Sequence, residues 1–153
     1  MTEATDVDIS PLEFTVDVEQ PVEAAFTLFT EKIDTWWPTQ THSIGEDRVV
    51  EVLFEPRVGG RLLERLDDGT EYAWGEVLVW EPPTRVAMTW HPNPEPIAMT
   101  EVDVRFAPID ADNTRVTLTH RHWERLGSLA AEARAGYSHG WPTVLGCFTG
   151  AQR

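Results

Sequence analysis

Between residues 49 and 123 the chain is a succession of short alternating segments broken by turn residues, and after Trp123 the period lengthens to that of one amphipathic helix. That change of period is the strongest constraint on the fold. A broad antiparallel sheet followed by a single apolar helix buries both apolar faces most economically by curling around the helix, which leaves room for a pocket between them.

The alternating region divides into six strand-like runs. Residues 49–54 stop at Glu55-Pro56. Gly59-Gly60 opens 61–66, which ends in Asp67-Asp68-Gly69, a hairpin signal because Asp-Gly accommodates positive φ. Residues 72–80 are closed by Pro82-Pro83, and 85–91 give way to a proline-rich loop at 92–96. Residues 100–106 end near Asp110-Ala111-Asp112-Asn113, and 114–123 complete the set. Short strands joined by short turns predict a sequential antiparallel meander.

Upstream, Phe14, Val16 and Val18 alternate with Glu13, Thr15, Asp17 and Glu19, the pattern of a half-buried strand beginning at Leu12. Pro21 suits a first helical turn, and Ala25, Phe26, Leu28 and Phe29 supply an apolar helix face. A second short helix is expected over 31–37, ended by Pro38, with a loop at 39–47. At the other end, Leu129, Ala133, Tyr137, Trp141, Leu145 and Phe148 recur at three- and four-residue spacing, predicting a helix over 128–150 with Trp141 buried. Pro142 removes one backbone hydrogen bond from it, so a kink is expected between 138 and 142.

A chain of 153 residues is expected to form one domain, residues 12–153, behind a loose polar tail at 1–11. The formal charge of −14 repels phosphate backbones and anionic lipid, so neither nucleic acid nor membrane is an expected partner. No run approaches the ~18 apolar residues of a membrane span, and the N-terminus has no apolar targeting segment, which points to the cytoplasm. Cys147 is the only cysteine, so intramolecular disulfides and thiolate zinc clusters are excluded.

The order strand, two short helices, six strands and long helix resembles the helix-grip fold of the START-like, or SRPBCC, superfamily, an α+β architecture in which about seven antiparallel strands curve around the C-terminal helix. Phe54-Glu55-Pro56-Arg57-Val58-Gly59-Gly60-Arg61, Asp68-Gly69, Gly75-Glu76-Val77, Glu81-Pro82-Pro83, Thr89-Trp90, residues 114–120 (TRVTLTH) and Gly140-Trp141 are together similar to the family of homologues of the ninety-kilodalton heat-shock-protein ATPase activator. The resemblance spans residues 12–148. Trp36-Trp37-Pro38 and the stretch from His122 to Gly127 leading into Gly140-Trp141-Pro142 are similar to a subset containing antibiotic self-resistance proteins. Such a fold serves lipid carriers, cyclases, sequestering proteins and co-chaperone domains, so it does not fix an activity.

Three functions follow as expectations. The first is binding of an apolar, ring-containing small molecule between sheet and helix, with Tyr72, Trp74, Met88, Trp90, His120, His122, Tyr137 and Trp141 as the lining, serving sequestration or resistance. The second is a cyclase- or hydrolase-type enzyme in which Glu64 or Glu76 works with His120 as acid and base. The third is an interaction module with a chaperone partner. Cofactors are expected in none of the three.

Individual residues carry alternatives. His120 and His122 are two apart on a strand, so both are expected on one side, either lining the cavity, bonded within the strand, or holding a metal with a third ligand such as His91 or Glu76. Of these the cavity-lining reading without metal is adopted. Glu64 shares parity with Leu62 and Leu66, and Glu76 with Trp74 and Leu78, but Ala73, Val77 and Val79 form an equally plausible inner face that sends Glu76 to solvent. Most of the seven tryptophans read as packing residues, with Trp36-Trp37 expected at a pocket rim or partner surface. Cys147 and His139 are eight residues apart on one helix, about 12 Å by rise alone, which rules them out as a nucleophile and base pair. Gly59-Gly60 lacks the context of a phosphate loop.

Overall fold

The computed structural model describes residues 8–91 and 99–151. Most of the expected N-terminal tail and the whole proline-rich loop at 92–96 lie outside them. The chain runs β1 (Leu12–Val18), α1 (Val22–Phe29), β2 (Val49–Phe54), β3 (Arg61–Leu66), β4 (Glu71–Glu81), β5 (Arg85–Trp90), β6 (Thr100–Pro108), β7 (Thr114–Arg121) and α2 (Ala130–Gly150). The seven strands form one antiparallel sheet in the order β1-β7-β6-β5-β4-β3-β2, so every neighbour is sequential except the closing pair β1 and β7. This is the curved sheet and gripped helix expected from the pattern. No helix among the described residues is long and apolar enough to cross a membrane.

The curvature has a local cause in β4. Leu62 pairs with Gly75 but Leu63 with Ala73, leaving Trp74 as an extra residue, and a second shift lies between Val77 and Val79. Each bulge bends the strand and reverses which side chains face inward. Trp74 is therefore buried with Gly75, and two residues later the inner position passes to Val77, while Glu76 and Leu78 are exposed. Both alternative faces read from the sequence are thus correct, each for part of the strand. Gly75 permits the arrangement, because a Cβ there would sit 1.7 Å from the Thr89 carbonyl oxygen of β5.

The core is aromatic. Phe29 and Trp36 pack edgewise or tilted on Phe148 of α2, with centroids 5.2 and 5.1 Å apart. Trp37 touches Trp74, Trp90 and Trp141 at 5.0, 5.9 and 6.1 Å. Such contacts contribute about 0.5–1.5 kcal/mol each beyond area burial. Trp141 is buried as expected, and α2 continues through Pro142 without interruption. Leu129 is the exception on the predicted helix face; it precedes α2 and is exposed.

The second short helix is reduced to one 3-10 turn, Ile33–Thr35. Trp36 and Trp37, which follow it, are both buried. Trp36 gives its indole N–H to the Leu28 carbonyl at 2.8 Å and belongs to the core. It is neither a rim nor a partner surface. Trp37 reaches the pocket described next.

Candidate functional site

Trp37, Trp90, Tyr137 and Trp141 wall a partly open cavity of about 210 Å³, completed by Thr41, His42 and Ser43 of the loop after Pro38 and by Gly140 and Val144 of α2. It lies at one end of the sheet, where α2 and the loop meet Trp90. Deeper between sheet and helix, side chains fill the space. The void bounded by Phe29, Met88, Trp90 and Trp141 measures about 10 Å³, room for one water at most. The cavity expected between sheet and helix is therefore reduced to its mouth, because aromatic and aliphatic side chains fill the interior.

The loop that forms the lip is held at several points. Trp37 donates its indole N–H to the His42 carbonyl at 2.8 Å, and the His42 amide bonds the Pro38 carbonyl at 2.9 Å. Ser43 donates its hydroxyl to the Thr39 carbonyl and accepts from the Glu46 amide at 2.8 Å. Glu64 anchors the far side: fully buried on β3, it accepts from the Ile44 amide (2.7 Å), the Gly45 amide (2.7 Å) and Trp74 Nε1 (2.6 Å). Three donors use the carboxylate as an acceptor only. Both oxygens of this carboxylate are spent on the loop and on Trp74, and Glu64 does not line the cavity, which argues against its reading as an acid or base. Glu76, the other candidate, is exposed on the outer side of the bulged strand.

His120 is buried completely, and its ring is used on both sides. Trp141 Nε1, a donor only, gives its hydrogen to Nδ1 at 3.0 Å, so the proton of the neutral ring is on Nε2. That N–H meets Thr100 Oγ1 at 2.6 Å, and the Thr100 hydroxyl donates to the Trp90 carbonyl at 3.1 Å. Trp123 Nε1 also donates to the His120 carbonyl at 3.1 Å. Burial lowers the pKa of His120 to about 3. The residue is a dry bracket that orients Trp141 from behind, and it neither lines the cavity nor has a nitrogen to spare for catalysis.

His122 leaves the strand altogether. β7 ends at Arg121, and His122 takes φ 72°, ψ 39°, which breaks the parity on which the shared orientation with His120 rested. It sits among charges on the outside, with Nε2 3.4 Å from Glu101 and Nδ1 3.1 Å from Glu124. Among the described residues no group of three or more His, Cys, Asp or Glu is placed to hold a metal ion.

Of the eight expected lining residues the structure brings Trp90, Tyr137 and Trp141 together at the cavity. Trp74 and Met88 are buried in the core behind it, and Tyr72 is half-buried away from it. Burial pushes the Tyr137 hydroxyl up to about 12, opposed by the nearby Trp90 indole N–H. That N–H is buried and makes no hydrogen bond to a described residue, so it faces the hydroxyl without being aligned on it.

The residues not foreseen are Thr41, His42, Ser43, Gly140 and Val144. The loop was visible as a long polar connection after two tryptophans, and long loops are where function concentrates. Gly140 was visible as a glycine inside a helix. Its role is space: a Cβ there would meet nothing nearer than the His42 ring, at 3.7 Å.

Comparison with known proteins bears on this geometry. No curated protein matches the sequence. Among solved structures, the anthrahydroquino-gamma-pyrone synthase Txn09, determined in complex with SUM, is 37% identical over 79% of this chain and 82% of its own, with a TM-score of 0.57. CalC from Micromonospora echinospora, a self-sacrificing resistance protein, is 27% identical over 92% of each chain, with a TM-score of 0.72. Protein MLL2253 from Mesorhizobium loti, 20% identical over 93% of this chain and 96% of its own at a TM-score of 0.67, shares the fold. Residues 19–150 match the profile described as Activator of Hsp90 ATPase homolog 1-like protein, and with that match the chain belongs to this family of the SRPBCC, START-like class.

Proposed function

We propose that the protein binds a flat, ring-containing, hydroxylated small molecule in the cavity beneath Gly140. The carrying observation is the cavity itself: four aromatic side chains, Trp37, Trp90, Tyr137 and Trp141, wall about 210 Å³ around a glycine-sized gap in α2. Pockets that engulf a drug-sized ligand run to ~300–1,000 Å³. This one takes one edge of a fused ring system between indole faces and leaves the remainder outside. A long acyl chain finds no room, since the interior void is about 10 Å³. That size argues for a ring binder over a lipid carrier.

The similarity to Txn09, an anthrahydroquino-gamma-pyrone synthase, supports a polycyclic aromatic molecule as the ligand class. It also favours a second reading, in which the bound molecule is transformed as well as held.

The reading is tested by titrating fused aromatic ketones into the protein and following indole emission and melting temperature. Stacking on Trp37, Trp90 and Trp141 is expected to quench emission, and occupancy of the folded state to raise the melting temperature. Gly140→Leu fills the gap from a helix position where a Cβ meets only the His42 ring, at 3.7 Å, and is expected to abolish both signals while the protein stays folded. A panel of such ketones giving neither signal with the wild type would end the proposal.

A further inference from the structure

We infer that His42 is the proton acceptor for a hydroxyl group of the bound ring system, with Nε2 the accepting atom, so that the pocket selects arenes whose hydroxyl is conjugated to a carbonyl. This rests on the ring-binding reading and adds to it the functional group that is recognised.

The His42 ring is held at one end and open at the other. Its Nδ1 lies 2.7 Å from Thr41 Oγ1, and its carbonyl is pinned by Trp37. The Thr41 hydroxyl also lies 3.5 Å from the Pro38 carbonyl; in the tautomer where its hydrogen turns there, its oxygen accepts from Nδ1–H. The Nε2 lone pair then faces outward. Among the described residues Nε2 has no hydrogen-bond partner. It is also the atom closest to the open side of Gly140, 3.7 Å from where a Cβ would stand. A molecule entering the gap meets this nitrogen on one side and the indole faces on the other.

Three other titratable groups on the surrounding elements do not compete for the role. Tyr137, on α2, is held protonated by burial up to about 12. Glu64, on β3, is taken up by Ile44, Gly45 and Trp74. His139, next to Gly140, is exposed.

In the proposed step the O–H bond of the ligand breaks and an N–H bond forms at Nε2. The electron pair stays on oxygen, and a phenolate–imidazolium pair results. An ordinary phenol, with a pKa near 10, is too weak an acid for appreciable transfer to an imidazole. Conjugation of the phenolate to a carbonyl lowers that pKa, which is why the inference specifies such a ligand. The net charge of −14 opposes an anion arriving from solution, so the hydroxyl is expected to arrive neutral and ionise in contact with His42.

The experiment compares 2-hydroxyanthraquinone with 2-methoxyanthraquinone, using the wild type, His42→Phe and His42→Gln. The wild type is expected to bind both, the hydroxyl compound at least tenfold more tightly, with the phenolate absorption band appearing at a pH where the free compound is neutral. His42→Phe is expected to bind both alike with no band. His42→Gln, which can hydrogen-bond without accepting the proton, is expected to keep part of the preference but no band. Equal wild-type binding without a band, or a band that survives His42→Phe, overturns this inference and leaves the ring-binding reading standing. Failure of the wild type to bind either compound overturns both.

Discussion

Two histidines of this protein sit in similar company and end in opposite states. His120 and His42 each lie beside a threonine hydroxyl and are each tied to a tryptophan indole. At His120 the indole takes one ring nitrogen and the hydroxyl the other, and the ring is sealed from water. At His42 the indole takes the backbone carbonyl instead, the hydroxyl takes Nδ1, and Nε2 is left at the edge of a cavity. Residue type does not separate a structural histidine from a functional one; whether its hydrogen-bonding capacity is spent inside the fold does.

The sharpest break of that contrast is a pair of alanine substitutions followed by chemical denaturation. His120→Ala is expected to cost about 2–5 kcal/mol, from the cavity left behind and the orphaned Trp141 N–H. His42→Ala, at the half-open lip, is expected to change stability by no more than about 0.5 kcal/mol. Similar losses at the two sites would dissolve the distinction.

Glu64→Gln probes what holds the lip in place. An amide offers one acceptor oxygen where the carboxylate offers two and turns an N–H toward another donor, so a cost of about 1–3 kcal/mol is expected. Ring binding should weaken with it, since Ile44 and Gly45 lose their anchor. Unchanged affinity in a destabilised protein would show that the lip keeps its shape without Glu64.

The acid limb of stability sharpens the comparison further. His120 goes from 6.5 in a free imidazole to about 3 in the fold. Below about pH 6.5 the unfolded chain therefore takes up a proton that the folded chain refuses until about pH 3. Its effect on stability is absent above 6.5, and as pH falls through this window stability drops by up to about 1.4 kcal/mol per pH unit. Denaturant midpoints for the wild type and His120→Asn across the window check this, with the variant expected to show the shallower slope.

A small effect of opposite sign is expected from Gly140→Ala. Removing a glycine from a helix interior stabilises by about 0.5–1 kcal/mol, and the new Cβ makes only an ordinary contact with His42 at 3.7 Å. A higher melting temperature together with weaker ring binding is the expected pairing. A gain in both would place the ligand elsewhere.

Much of this architecture was legible in the chain. The alternation of Phe14, Val16 and Val18, the Asp68-Gly69 hairpin and the helical spacing from Ala133 to Phe148 each report a local period that burial on one face imposes. Of the site, Trp90, Tyr137 and Trp141 were legible because large aromatics on the inner faces of a sheet and its gripped helix must approach one another. His122 was misplaced because a single left-handed residue after Arg121 ends the strand and cancels its parity. Trp74 and Val77 could not be assigned to one face together because Trp74 is itself the extra residue of a bulge.

What the sequence determined alone is the set of properties that depend on neighbours a few positions away, strand and helix periods and turn chemistry, together with the net charge of −14. What the tertiary structure decided is where polar atoms find partners and where space remains. The ring nitrogens of His120 are satisfied by residues 20 and 21 positions distant, and Glu64 by amides 19 and 20 positions away. The cavity joins a loop at Thr41 to a helix at Gly140. Hydrogen-bond satisfaction and packing voids are properties of surfaces brought together in three dimensions, and no local period encodes them.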